Sequence, residues 1–365
     1  MRKLALLTIL LFSCHSYADQ AELSAVMQHL GDSLLKLIPL VQDQDIDQAA
    51  LTEEVKRLQG YVHEAEPHFE DQPVTAHVTY DMLKDRIDEA ASLAEQKSLL
   101  SAKSLLAESM ELCASCHAQD RKSKLSFGVS RLRDLDEFQA AEFSFLSRDY
   151  ESALVSYQAF LKTGKDEYRR SQALDRILAI TTEIYGDMDA ANKVLNEVNL
   201  ISDSEKYRVK SWTMLFEKLQ GENAIQNPSV HGTPREIEQF LDTDWRELQS
   251  FMSWSEQQAY WMLIRRQLTT LLEQNPTADE MPLLLYWMAV ADRSTHFQFH
   301  ESLSRRYLES CMTRYTTHRY AKYCFDEFEL LMLVSFSGSG GINMPIEIRE
   351  EINRLRRLVY TPVSE

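Results

Sequence analysis

The sequence predicts an all-α protein, and three observations predict it. Glycine and proline are scarce, at 10 and 9 among 365 residues; apolar residues recur at spacings of three and four; and no segment shows the period-two alternation of a strand. Within that class, the N-terminal part reads as an up-down-up-down four-helix bundle and the rest as an α-helical array. Tyr61, Phe69 and Tyr80 are the only aromatics between 19 and 126, and all five Trp lie beyond 210. That shift argues for separate cores.

Residues 1–18 read as a secretory signal: Met1-Arg2-Lys3, the apolar run Leu4 to Phe12 broken only by Thr8, then Ser16-Tyr17-Ala18 before Asp19. The run is too short to span a membrane. The later stretch "MPLLLYWMAVA" (Met281 to Ala291) has the length of a buried core helix. An exported, soluble, periplasmic chain without a transmembrane segment is expected. The alternative takes Leu11-Phe12-Ser13-Cys14 as a lipoprotein box with a lipid anchor on Cys14, although bulky Phe12 fits such a box poorly.

Losing Arg2 and Lys3 with the signal moves the formal charge from −17 down by two, to −19. Nucleic acid and anionic membrane are poor partners for such a surface. Residues 19–124 carry 20 Asp/Glu against 10 Lys/Arg, so a protein partner of this half is expected to present a basic face, unless the acidity serves solubility alone.

Leu23, Met27, Leu30, Leu34, Leu37 and Val41 form the seam of a first helix. Leu51, Val55, Leu58 and Val62 mark a second helix, and Leu83, Ile87, Ala90 and Ala94 a third. The fourth carries Leu106, Met110, Cys113 and His117. Short breaks at 43–47, 67–73 and 98–101 make successive helices antiparallel neighbours.

The fourth helix holds the one motif with specific chemistry, Cys113-Ala114-Ser115-Cys116-His117. A thioredoxin-like pair needs a βαβ setting that is missing. A zinc site needs further Cys or His at ligand spacing, and a disulfide between i and i+3 of a helix is geometrically poor. In an exported protein C-x-x-C-H is the signature of covalent haem attachment, with two thioethers to the macrocycle and the imidazole on the iron. One haem c on Cys113 and Cys116, with His117 as proximal ligand, is expected.

A bundle of about this length with C-x-x-C-H in its last helix resembles the cytochrome c prime family and its low-spin relatives, over about residues 20–124. In that family an arginine commonly follows four residues after the haem histidine, and Arg121 stands at that offset; the tyrosine that often precedes it is Asp120 here. The resemblance implies a haem environment for Arg121, electron transfer as the activity, and a far axial position facing the start of the first helix. The residue there is Met27, either the sixth iron ligand or a core methionine filling a gap. His29 lies about 200° round the helix from Met27 and points away. His63, His68 and His77 are read as solvated.

Beyond "DRKSKLSFGVSRLRD" the register changes. Phe138, Ala141, Phe145, Tyr150, Ala153, Tyr157 and Phe160 show a small/large alternation, and thirty-eight residues past Ala153 the stretch "YGDMDAANKVL" repeats it with Gly186 and Ala191. These resemble tetratricopeptide repeats, which implies that a partner protein or peptide binds them. The match is loose, with Arg148 where the turn glycine is usual, and an ordinary helical domain is the alternative. The expected organisation is a signal over 1–18, a cytochrome domain over 19–124, repeats over 125–220, a loop over 221–234 and a C-terminal helical domain over 235–365. Thr233-Pro234 opens a helix with Glu236 in its first turn. "SGSGG" (Ser337 to Gly341) reads as a turn before a last helix starting near Pro345.

With Cys14 in the signal and two cysteines on haem, Cys311 and Cys324 remain as a disulfide pair, or as two buried thiols. Helices on either side of "YTTHR" (Tyr315 to Arg319) bring the two to the same height. His296, His300 and His318 are scattered, and no Ser/His/Asp or paired-carboxylate constellation stands out, so no hydrolytic enzyme is expected; a haem peroxidase lacks an evident acid-base pair. The function expected is single-electron transfer to or from a protein partner. A haem-based redox or gas sensor, with the repeats as scaffold, is the alternative, and Met27 discriminates the two.

Overall fold

The structure is a computed structural model that describes residues 23–42, 47–69, 72–119, 135–221, 226–295, 303–338 and 341–360, with the backbone alone at 111 and 113–119. Those residues are 83% helical, so the protein is all-α as the apolar periodicity predicted. Two compact units divide between Ser156 and Tyr157.

In the first unit, α1 spans residues 23–42, α2 Gln48–Ala65, α3 Val74–Glu95 and α4 Leu99–Gln119. Asp47 caps α2 by accepting from the Ala50 N–H at 3.0 Å. All four helices feed one apolar core, in which Leu37 and Val41 of α1 meet Leu51, Val55 and Val62 of α2, Ile87 and Ala90 of α3 and Leu106 of α4. A 3-10 turn, Glu66–Phe69, joins α2 to α3; there Phe69 stacks on Tyr80 at 4.3 Å, and the Tyr80 hydroxyl donates to the Val62 carbonyl at 2.9 Å. The seam of α1 departs from the expected one at its first turns. Val26 is buried while Met27 and Leu30 are half-buried, packed against the core. Helix α5 (Glu137–Leu146) opens with a capping box between Asp136 and Gln139 and also packs on α4. The first unit therefore continues past residue 124 and ends inside α6 (Tyr150–Thr163).

The two stretches that suggested repeats share a local conformation. Arg148 and Gly186, thirty-eight residues apart, both take a left-handed backbone, φ 65°. Each is followed by an aspartate whose carboxylate caps the next helix, Asp149 to the Ser152 N–H and Asp187 to the Ala190 N–H, and Ala153 and Ala191 four residues on are fully buried. Arg148 bears at its turn the strain that glycine avoids at the other.

In the second unit, α7 (Glu167–Leu178) runs into a π-helix, Ala179–Ile184, followed by α8 (Met188–Glu197) and α9 (Asp203–Gln220). Arg170 of α7 is fully buried. It donates to both Glu205 oxygens (2.7 and 2.9 Å) and to the carbonyls of Leu161 (2.7 Å), Gly164 (3.0 Å) and Asn199 (2.6 Å). Helix α10 (Pro234–Asp242) starts as expected, with Thr233 and Glu236 in a capping box. After α11 (Asp244–Leu248), α12 (Trp254–Glu273) carries the core. The Trp212 indole donates to the Ser255 carbonyl at 2.9 Å, and Trp245 stacks on Tyr260 at 4.7 Å.

Helix α13 (Met281–Thr295) is the apolar stretch read as a core helix, and its Leu284 and Leu285 are fully buried. No helix among the described residues is long and apolar enough to cross a membrane. Helices α14 (Leu303–Arg314) and α15 (Arg319–Ser335) meet at the connection expected over Tyr315 to Arg319, with Arg319 already the first residue of α15. Cys311 and Cys324 form a disulfide across them, with 6.4 Å between Cα atoms, and both are fully buried. The glycine-rich turn holds a two-residue strand pair, Ser337–Gly338 with Gly341–Ile342, before α16 (Ile346–Tyr360).

Candidate functional site

The Cys113-x-x-Cys116-His117 motif lies on the last two turns of α4, and the helical register carries the core stripe of Leu106 and Met110 onward to positions 113 and 117. Cys116 stands beside them at i+3 from Cys113. Arg121 and Cys14 lie outside the described residues, as do His296 and His300.

What the structure adds is the wall next to the motif. A cavity opens between the four helices, lined by Leu30 and Leu34 of α1, Val62 of α2, Leu83 and Ile87 of α3, and Met110 of α4, among others. The start of α1 and the later turns of α4 therefore stand at one level. Met27 is three residues before Leu30, and Cys113 three after Met110, about 4.5 Å along each helix. Leu30, Leu83 and Met110 at the rim are only half-buried, whereas Leu37, Leu58, Val62 and Leu106 deeper in are buried. The core is thus incomplete at the end where the motif sits.

These residues fit a haem. A flat apolar group needs an open, unfilled end of a core, two thiols and an imidazole in register on one helix, and a second donor from another helix at the same level. Leu30, Leu83, Met110 and the cavity supply the first, positions 113, 116 and 117 the second, and Met27 is available for the third.

The histidines divide. His29 is exposed and stacks on Tyr61 at 4.9 Å, away from the core as expected. His63 is exposed, with Nε2 2.7 Å from Asp88. Burial pushes the Asp88 carboxyl up, but hydrogen bonds from Gln59 and His63 outweigh it and hold it below its usual value. His68, in the 3-10 turn, and His77, in the first turn of α3, are half-buried rather than solvated. His318 caps α15, accepting from the Tyr320 N–H at 3.2 Å, and pairs with Asp279.

Sequence reasoning missed the buried cations. Arg86 of α3 is 1% exposed, 3.8 Å from Glu108 of α4, and Arg170 ties together four segments of the second unit. Neither follows a motif; each is recognisable only from what surrounds it. Set against known protein families, curated proteins and solved structures, the chain matches none of them.

Proposed function

We propose that residues 23–119 form an up-down-up-down four-helix bundle carrying one covalent haem c. On this reading the chain is an exported single-electron carrier whose tetratricopeptide-like helices bind a partner protein. The observation that carries it is C-x-x-C-H on the last of four helices sharing one core, three residues beyond Met110 at the rim of an apolar cavity. Cys113 and Cys116 would hold the group, His117 and Met27 would bind its iron, and Arg121 would belong to its environment. When bound, the group supplies a one-electron couple. The chain supplies its setting: leucine and valine walls exclude water and lower the local dielectric, and the Met27 thioether, as an iron ligand, would raise the potential. The 20 acids against 10 bases of residues 19–124 favour a redox partner with a basic docking face.

Export together with a cytochrome c maturation system is expected to give a red protein whose pigment survives denaturation and stays with the polypeptide in acidified organic solvent. The oxidised form should show the weak near-infrared band of a methionine-to-iron bond, and Met27→Ala should turn the iron high spin. A colourless product overturns the haem. A wild type that is already high spin and binds carbon monoxide readily replaces the carrier by a haem-based sensor.

A further inference from the structure

We propose that a groove of the second unit, between the α14–α15 turn and the last turn of α16, binds a small organic acid, one carboxylate on an aromatic body. Its volume is about 810 Å³, within the roughly 300–1,000 Å³ of small-molecule sites. Thr316, Arg319 and Lys322 line it with donors, while Tyr323, Leu358 and Tyr360 line it with apolar surface.

The hydrogen-bond inventory selects the head of the ligand. The Lys322 ammonium lies 5.5 Å over the Tyr360 ring and pairs with no carboxylate among the described residues. Arg319 gives one of its five N–H groups to Glu238 at 2.5 Å and keeps its side chain exposed. The hydroxyls of Thr316 and of Thr317 beside it donate to nothing among the described residues. The nearby acids are already engaged: Asp326, in the wall, accepts from the Tyr360 hydroxyl at 2.7 Å, Glu238 accepts from Arg319 and from the Tyr320 hydroxyl, and Asp279 faces His318. Donors are in surplus here, and lysine and arginine have no acceptor to offer one another. A carboxylate supplies the missing acceptors and the opposite charge.

The rest of the wall selects the body. Tyr323, Tyr360 and Leu358 stay 53, 44 and 40% exposed. The Tyr360 ring is held in place by its bond to Asp326 and by edge-on packing against Phe325 at 5.6 Å, so a ligand ring stacking on it meets a preorganised surface. Neither the haem nor the repeats enter this argument.

Hydrocinnamate is the probe, titrated into the full chain and followed by saturation-transfer NMR. Saturable binding in roughly the millimolar range is expected, weakened by added salt. Hydrocinnamide, which keeps the ring and loses the charge, and acetate, which keeps the charge and loses the ring, should both bind more weakly. Lys322→Gln should weaken hydrocinnamate about fivefold at low salt, Tyr323→Ala should weaken it too, and Lys193→Gln, at an exposed lysine of α8, should leave it unchanged. If Lys322→Gln does not fold, the comparison of acid with amide on the wild type decides. Equal binding of acid and amide, or equal losses in Lys322→Gln and Lys193→Gln, overturns the proposal. A peptide pairing phenylalanine with glutamate that binds more tightly than hydrocinnamate and displaces it also overturns it, making the groove a protein-docking site instead.

Discussion

Arg170→Met should be among the most damaging single substitutions in the second unit. Methionine replaces the aliphatic stem of arginine, ends short of the guanidinium, and removes its charge and all five of its hydrogen bonds. What remains is the Glu205 carboxylate, 9% exposed, keeping its hydrogen bond from the Ile201 N–H at 2.8 Å but losing both guanidinium contacts. Three backbone carbonyls also lose a donor, although those of Gly164 and Asn199 are near enough to solvent to regain water. Breaking one side of a buried ion pair costs about 3–5 kcal/mol, mostly for the charge left behind. At about 2–4 °C per kcal/mol for a unit of this size, Tm should fall by roughly 10 °C at pH 7.

The pH dependence has a definite sign. Burial raises the Glu205 carboxyl, but the Arg170 hydrogen bond, the Ile201 N–H and the Arg170 charge outweigh it and hold the group below its usual 4.5. A carboxyl lowered by folding contributes stability that is present above 4.5 and fades as pH falls through the folded value. In the variant the same carboxyl is buried without its cation and shifts upward, so its penalty is largest at neutral pH and disappears on protonation. The gap between wild type and variant should narrow from pH 7 to pH 4. The double substitution Arg170→Met with Glu205→Met should recover most of the loss, since an apolar pair of similar volume is close to neutral. Melts followed by circular dichroism measure all three proteins. A fall of under about 3 °C at pH 7, or a gap that widens on acidification, refutes the argument.

Gly186→Ala forces a side chain into a left-handed backbone and brings its Cβ against the Arg266 side chain, whose guanidinium donates to the Glu183 and Ile184 carbonyls at the end of the π-helix. A loss of about 1–3 kcal/mol is expected in urea melts, and an unchanged midpoint counts against the strain argument. The denatured, unreduced mature protein should show no titratable thiol, and Cys324→Ser should cost about 3 kcal/mol for a loop of thirteen residues by the chain-entropy estimate. Two titratable thiols would remove that bond and the oxidising compartment with it.

Several features were legible in the sequence because each depends on neighbours close in the chain. Helix periodicity, the Thr233–Glu236 capping box and the left-handed turn at Gly186 are local, and local physics writes them into short patterns. The Cys311–Cys324 bond reached further, yet it followed from counting cysteines and from two helices meeting at a turn four residues long. The spacing of Cys113, Cys116 and His117 was legible for the same reason, and α4 carries all three on one helix.

The remainder depends on contacts that spacing does not encode. Residues 26, 27 and 30 of α1 are all apolar, and only the packing of α2, α3 and α4 decided that Val26 is buried while Met27 and Leu30 stay half-buried, with Leu30 lining an unfilled space. Arg170 resembles its neighbour Arg169 in the sequence. One is half-buried and the other is the centre of five hydrogen bonds, because the partners lie on α6, α9 and two intervening loops. The sequence by itself determined the helices, their punctuation and the pairing of Cys311 with Cys324; tertiary structure decided which polar groups are desolvated and where the core stays open, since both depend on the sum of many weak contacts from distant parts of the chain.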